Sequence, residues 1–409
     1  MFGSCGSTEA EVAERSIGAR TVVWTAAAAC IFAAYGQCIS GGSTLIRRLE
    51  WEKVKIDAGA YESAGVFDVN NDGKLDIVCG GYWYEGPKWT KHKLCDVRAE
   101  GEYYDDFSTI PMDVNGDGYL DFITGGWWGG ALQWRENPKG QPVEWKTHVI
   151  DECGNIETTR AWDVDGDGEP EICPNTPGTP LRFYKLVKRG DKPEFRKIIV
   201  QEDGAQGHGL GFGDVNGDGR GDFVVTNGWW EAPANPLEGE WKFHQEFSLG
   251  SASVPILVDD FNKCGLPELI VGQAHGYGLD YYTQKLDGGR RIWTKHPIDP
   301  YFSQYHELVY IDLDGDGEKE IVTGNRFRAH CGAEPGETDI VGLYYFKWNG
   351  ESWTKCVIDH GKLGDHSGTG IFMQVVDIDG DGRLDIVAPG KEGLFLFRNL
   401  GPEQVGVKR

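Results

Sequence analysis

The sequence predicts an all-β fold, a seven-bladed β-propeller of four-stranded blades with Ca²⁺-binding loops, closed by an N-terminal strand in the last blade. Three observations predict it: an acidic nine-residue loop that recurs seven times, a Trp-containing strand that also recurs seven times, and an offset of one strand between the two series. Successive loops begin 45, 50, 51, 46, 52 and 65 residues apart, the period of a propeller blade. At 409 residues, 40% apolar and 25% charged, length alone would suggest two or three domains, and the repeat replaces them with one ring.

Each loop places oxygen side chains at positions one, three and five, a glycine at six and an acid at nine, a turn built to wrap a hard cation. The intact copies hold Asp68, Asn70, Asp72 and Asp76; Asp113, Asn115, Asp117 and Asp121; Asp163, Asp165, Asp167 and Glu171; Asp214, Asn216, Asp218 and Asp222; Asp312, Asp314, Asp316 and Glu320; and Asp377, Asp379, Asp381 and Asp385. These are the expected ligands of up to six structural Ca²⁺ ions. The remaining copy, Asp260 to Glu268, has Cys264 at position five, and a neutral thiol there leaves calcium binding weak or absent. An EF-hand is excluded because position twelve of the first copy is Cys79 and strands, not helices, flank the loop.

Strands are expected on both sides of each loop, Ala64 to Phe67 before the first and Leu75 to Cys79 after it. A third follows in most repeats, as at Leu132 to Arg135 and Leu343 to Trp348. The fourth starts at Trp51, Trp89, Trp145, Trp241, Trp293 or Trp353, with Phe195 in place of Trp. One Trp strand precedes every loop and none follows the last, so Trp51 to Ile56 is expected to complete the blade begun at Asp377 and to cover its sheet edge. The propeller then spans 51–401, with 402–409 as a tail.

Ahead of it, Thr21 to Gly36 is an Ala-rich apolar run after Arg15 and Arg20, too short for a comfortable membrane span and suited to the core of a signal peptide. Residues 1–36 read as an export leader and 37–50 as a linker. The mature chain is expected to be secreted or periplasmic, with no stable membrane span. The net charge of -24 reflects the loops, whose liganding positions hold 23 Asp or Glu, and with no basic stripe a nucleic-acid partner is excluded. Ten cysteines suit an oxidising compartment, and Cys79 with Cys95, Cys153 with Cys173, and Cys331 with Cys356 lie within one repeat of each other, so three local disulfides stay open.

The D-x-[DN]-x-D-G-x-x-[DE] loop between strands resembles the FG-GAP/VCBS repeat of integrin-type propellers and of bacterial and fungal carbohydrate-active propellers. In architecture the chain is similar to the propeller of aldos-2-ulose dehydratase and to propeller-type ulvan lyases. The resemblance covers residues 51 to 400 and implies fold and Ca²⁺; no catalytic signature of those enzymes carries over by position.

Because the loop joins the first strand of a blade to the second, the start of the first and the end of the second meet on the opposite face. Six residues before each loop stand Glu62, Phe107, Glu157, His208, Val254, His306 and Ile371, with Tyr61, Asp106 and Tyr305 one further back. About fifteen residues after six of the loop starts come Trp83, Trp127 and Trp128, Trp230, His275, Arg326 and Arg328, and Lys391. Aromatic side chains stack on sugar rings and arginines clamp carboxylates. Against this, a Trp also wedges between blades as core. His92, His148, His244 and His296 share one position, three residues after the strand Trp, and read as structural.

These residues point to an exported carbohydrate-active propeller, a lyase or sugar dehydratase that eliminates across an oxidised sugar or uronic acid. His208, His306, Glu62, Glu157, Tyr305 and Arg326 are its candidate catalytic groups; Trp83, Trp128, Trp230, His275, Arg328 and Lys391 are its candidate substrate-binding groups. One Zn²⁺ or other divalent ion in the channel would suit the His and Glu positions. The alternative is a non-catalytic propeller that binds carbohydrate or protein in adhesion. No GxSxG, HExxH, P-loop or dinucleotide fingerprint is present.

Overall fold

The computed structural model describes residues 48–201 and 205–403. The expected leader and nearly all of the expected linker lie outside them, as does the tail beyond 403. Seven four-stranded antiparallel sheets form the ring. Blade 1 runs Ala64–Phe67, Asp76–Cys79, Tyr82–Glu85 and Thr90–Lys93 in order from the first strand outward. In blade 7, Gln374–Val376, Asp385–Gly390 and Gly393–Pro402 are joined on the outside by Leu49–Asp57, which pairs antiparallel with Gly393–Pro402. The offset between the two repeats predicts this arrangement. Blade 1 meets blade 7 through a bridge between Ser63 and Phe372 and a 2.9 Å bond from the Ala64 amide to the Phe372 carbonyl.

Second strands such as Asp121–Gly125, Glu171–Asn175 and Glu320–Gly324 are buried at every residue, because a neighbouring blade covers each face. They therefore read as unbroken apolar runs. The outermost strand Thr90–Lys93, with solvent on one side, is mostly exposed. Near the axis, blades approach so closely that side chains do not fit. A Cβ on Gly211 would lie 2.2 Å from the Ile256 carbonyl oxygen of the next blade.

The loops hold themselves in shape before any ion is considered. In the second, the Asp113 carboxylate accepts amides of Gly116, Asp117 and Gly118, and Asp117 also donates to Asn115 Oδ1. The glycine at position six has φ between +82° and +92° in all seven copies, as Gly73 (82°) and Gly317 (92°) show, a region a side chain enters only with strain. The acid at position nine is buried, and in the six intact loops it accepts the amide of position two, as Asp121 does from Val114 at 3.1 Å. Burial pushes Asp121 and Asp222 up to about 7 and Asp76 and Asp385 up to about 6, the signature of carboxylates lacking a counter-charge. An oxygen-only donor set around a buried acid suits Ca²⁺.

Two expectations resolve in favour of packing. The four histidines that share a position lie flat on a third-strand aromatic ring: His92 on Trp83, His148 on Trp134, His244 on Trp229 and His296 on Tyr281, at centroid distances of 4.3, 4.4, 4.2 and 4.7 Å. Three of them reach a neighbouring acid through Nε2: Glu85 (3.1 Å), Glu136 (2.8 Å) and Glu231 (2.7 Å). The open disulfides are corrected, for all seven described cysteines are free. Cys79 and Cys95 sit in different apolar clusters, as do Cys153 and Cys173, while Cys331 is in an exposed loop and Cys356 in core. Cys79 and Cys173 lie on second strands, while Cys95 and Cys153 lie in connections that pack into a different interblade space, so closeness in sequence does not bring these thiols together.

Gly211→Ala is expected to cost about 1–3 kcal/mol, since the added methyl meets backbone rather than a movable side chain. Thermal unfolding checks it; an unchanged midpoint would contradict the close approach of blades 4 and 5.

Candidate functional site

On the face away from the loops, residues entering the first strands converge on a pocket of about 310 Å³. One wall is aromatic, formed by Tyr103, Phe107, Trp127 and Trp128, and the other is polar, formed by Glu157, His208, His275, Arg326 and His330. Tyr103 comes from a short hairpin, Ala99–Glu100 with Tyr103–Tyr104, inserted between blades 1 and 2, and its ring lies 4.9 Å from that of Trp128. The Asp105 carboxylate accepts the amides of Trp128 (3.0 Å) and Gly129 (2.6 Å), fixing the loop that presents Trp128. His330 arrives on the long connection after Glu320–Gly324 in blade 6, where the buried Glu337 accepts its amide at 2.6 Å.

Glu157 and three histidines form the floor. One ligand-type atom from each of Glu157, His208, His275 and His306 lies within 4.8 Å of all the others. His208 Nδ1 donates to the Ala252 carbonyl at 2.8 Å, leaving a buried Nε2 3.3 Å from Glu157 Oε1 without hydrogen-bond geometry. His275 Nδ1 lies 2.8 Å from Glu334 Oε1, so its Nε2 is likewise the free nitrogen. A ligating histidine is characteristically oriented this way, its other ring nitrogen held by a carbonyl or carboxylate. His306 is fully buried; its Nε2 lies 2.9 Å from Glu157 Oε1, and its Nδ1 has no partner.

Electrostatics favour lone pairs over protons here. Burial, with repulsion from His208 and against the pull of Glu334, lowers His275 to about 4. Burial and the Arg326 charge hold His306 well below the usual imidazole range, despite its bond to Glu157. Burial would raise Glu157, but the nearby His208 and the hydrogen bond with His306 outweigh it and hold the carboxyl well below its usual range. Imidazole nitrogens beside an ionised carboxylate are a donor set for Zn²⁺ or a similar ion.

Beside the floor, Arg326 binds Glu62 through Nε (2.7 Å) and Nη2 (3.2 Å), and both side chains are 2% exposed. Its Nη1 is buried without a hydrogen-bond partner, 3.9 Å from Glu157. Elsewhere in the channel, Arg160 of blade 3 reaches Glu307 of blade 6 and the Val254 carbonyl of blade 5, so a buried ion pair bridges strands that enter from different blades.

The structure thus brings together Glu62, Glu157, His208, His275, His306, Arg326 and Trp128. Three other expected residues lie elsewhere. Trp83, 2% exposed, is core between blades and stacked on His92. Trp230 packs in the neighbouring cluster with Phe183 and Trp241. Tyr305 is fully buried and donates its hydroxyl to Asp299 at 2.9 Å, away from the pocket. Arg328 and Lys391 stand at the rim, not in the lining: Arg328 pairs with Glu102 (2.5 Å), and Lys391 Nζ donates to the Arg328 carbonyl (2.5 Å) while lying over Tyr103. His306 lines the floor from beneath and does not open to the pocket. Tyr103, His330 and Glu334 were not among the expected site residues; the His330 to Glu334 spacing of four, with an Nδ1 to Oε2 distance of 3.0 Å, is the one sequence signal for the latter two.

Residues 113–173 match the FG-GAP-like repeat family. No curated protein matches the sequence. Among solved structures, the chain is similar to BBS1N in complex with ARL6DN, at a TM-score of 0.51 and 11% identity over 88% of this chain and 99% of that one. It is also similar to the V. cholerae biofilm matrix protein Bap1, at a TM-score of 0.44 and 11% identity over 89% and 90% of the two chains. At such identity the first likeness is one of fold.

Removing one member of the Glu62–Arg326 pair leaves a buried charge uncompensated. Arg326→Met is expected to cost about 3–5 kcal/mol of stability, and Glu62→Leu with Arg326→Met together less than Arg326→Met alone. Denaturant unfolding of the single and the double variant checks the order.

Proposed function

We propose that this seven-bladed β-propeller of FG-GAP-like repeats holds one divalent transition-metal ion on Glu157, His208, His275 and His306, and eliminates across an oxidised sugar or uronic acid in the adjoining pocket. The observation that carries the reading is the pair of histidines, His208 and His275, each fixed through Nδ1 so that Nε2 faces the same small volume as Glu157. When bound, such an ion supplies Lewis-acid stabilisation of negative charge developing on a carbonyl or carboxylate oxygen.

The chain's own groups supply the rest. Trp128 and Tyr103 offer faces for a sugar ring, and the unpartnered Nη1 of Arg326 is a donor for the substrate carboxylate or carbonyl. His330, beside Glu334, is the group placed to take the proton alpha to that carbonyl. As that C–H bond breaks, its electron pair forms the double bond, and the C–O bond on the next carbon breaks. Burial raises the Tyr103 phenol, so it keeps its proton at neutral pH and can donate it to the departing oxygen. Calcium in the acidic loops is structural in this reading, and export, as the leader predicts, would bring the enzyme to polymeric sugars.

Incubation with polyuronates and keto-sugars, followed by the absorbance of an unsaturated product, tests it. His330→Ala is expected to lower kcat about 100- to 10,000-fold, and Trp128→Ala to raise KM more than it lowers kcat. Sugar binding without product from any substrate would instead favour a carbohydrate-binding propeller, for which the aromatic wall alone suffices.

A further inference from the structure

The loops are not equivalent, and the difference lies on the strand behind them. In each blade the third strand places one residue opposite position nine, a step beyond pairs such as Ile77 with Tyr84, Ile172 with Tyr184 and Ile321 with Phe346. In blades 1, 2 and 4, position nine is Asp and the opposite residue is Glu85, Glu136 or Glu231, the same acids that the stacked histidines hold from outside. In blades 3 and 6, position nine is Glu and the opposite residue is Lys185 or Lys347.

These two lysines point into their loops. Lys185 Nζ lies 2.7 Å from Asp165, 2.7 Å from Asp167 and 2.8 Å from Glu171. Lys347 Nζ lies 2.5 Å from Asp314, 2.8 Å from Asp316 and 2.9 Å from Glu320. Both are sheltered, with 15% and 7% of the side chain exposed. Among the described residues, the other basic groups that pair with a liganding carboxylate of an intact loop each reach only the position-five one, as Lys74 does with Asp72, Lys139 with Asp117, Arg220 with Asp218 and Arg383 with Asp381. In blade 7 the opposite residue is Arg398, which turns away to Glu52.

The switch from Asp to Glu at position nine completes the arrangement. Glu171 and Glu320 keep the amide of position two on Oε2, at 2.7 and 2.8 Å, and their extra methylene carries Oε1 to the ammonium. The shorter acids commit the second oxygen to backbone instead: Asp76 to the Gly86 amide, Asp121 to Asn137, Asp222 to Ala232 and Asp385 to Asn399. An ammonium contacting three loop carboxylates stands where a cation would share those same oxygens, and the two charges repel strongly at such range.

We infer that Lys185 and Lys347 act as built-in cations in blades 3 and 6, so that only the loops of blades 1, 2, 4 and 7 bind Ca²⁺. This rests on the reading of the acidic loops as calcium sites. Blades 3 and 6 then keep their loop carboxylates neutralised when calcium is withdrawn, and the other four do not.

Equilibrium dialysis with Ca²⁺, or native mass spectrometry of the full chain, counts the ions. The wild-type protein is expected to bind four, Lys185→Gln or Lys347→Gln five, and the double variant six. So that folding does not limit the count, each variant is refolded in Ca²⁺ before counting, and melting with and without chelator is compared with wild type; the single variants are expected to lose more on chelation. Six ions on the wild-type protein would overturn the inference and leave the calcium reading standing. No bound ion at all would overturn both, and a folded double variant that still binds four would overturn the inference alone.

Discussion

The buried carboxylate that ends each acidic loop is the constraint on which the rest of the molecule hangs. It begins the fully buried second strand and, in the six intact loops, holds the amide of loop position two; in four blades it also ties down the end of the third strand. One side chain therefore fixes three strands relative to one another. With that register set, the residue six positions before each loop falls at the same height on the far face, which is how Glu62, Glu157, His208 and His306 come from different blades to one place. The same acid carries a cost, since a carboxylate buried without a counter-charge is unfavourable. The fold meets that cost in two ways, by an oxygen cage suited to a hard cation and by a lysine reaching over from the neighbouring strand.

On the opposite face the chemistry is arranged by the same logic of desolvation. Burial discourages protons on His275 and His306, while Glu157 stays ionised among them. Arg326 is neutralised by Glu62 but keeps one donor unspent, and the ion pair between Arg160 and Glu307 joins blades 3 and 6 in the channel. His208 Nε2 and Arg326 Nη1 are thus left unpaired beside Glu157. That leaves an aromatic wall on one side and lone pairs on the other, a division suited to a ring that is apolar on its face and charged at its edge.

Much of this was legible in the sequence because it is periodic. The loops, the seven strands of the Trp series and their offset gave the ring and the origin of its last strand, and counting from each loop placed the histidines. What escaped is whatever departs from the period. Tyr103 rides on an inserted hairpin and His330 on a long connection, so no register could reach them. Alternation along a strand does not say which of two buried faces a Trp occupies, which is why Trp83 and Trp230 read as ligand-facing although both are core. Tyr305, next to His306, points to the other side of the strand entry and meets Asp299. The lysines of blades 3 and 6 look like ordinary strand residues until the cross-strand pairing shows which acid each one faces.

The central claim is that Glu157 and the three histidines are a metal centre and not merely a satisfied polar core. Anomalous diffraction at the zinc edge, from crystals grown with Zn²⁺ and Ca²⁺ together, addresses it most directly. The account predicts one zinc peak on the channel face, about 2.0–2.1 Å from the Nε2 atoms of His208 and His275. No peak there, or zinc found only at the acidic loops, would contradict it.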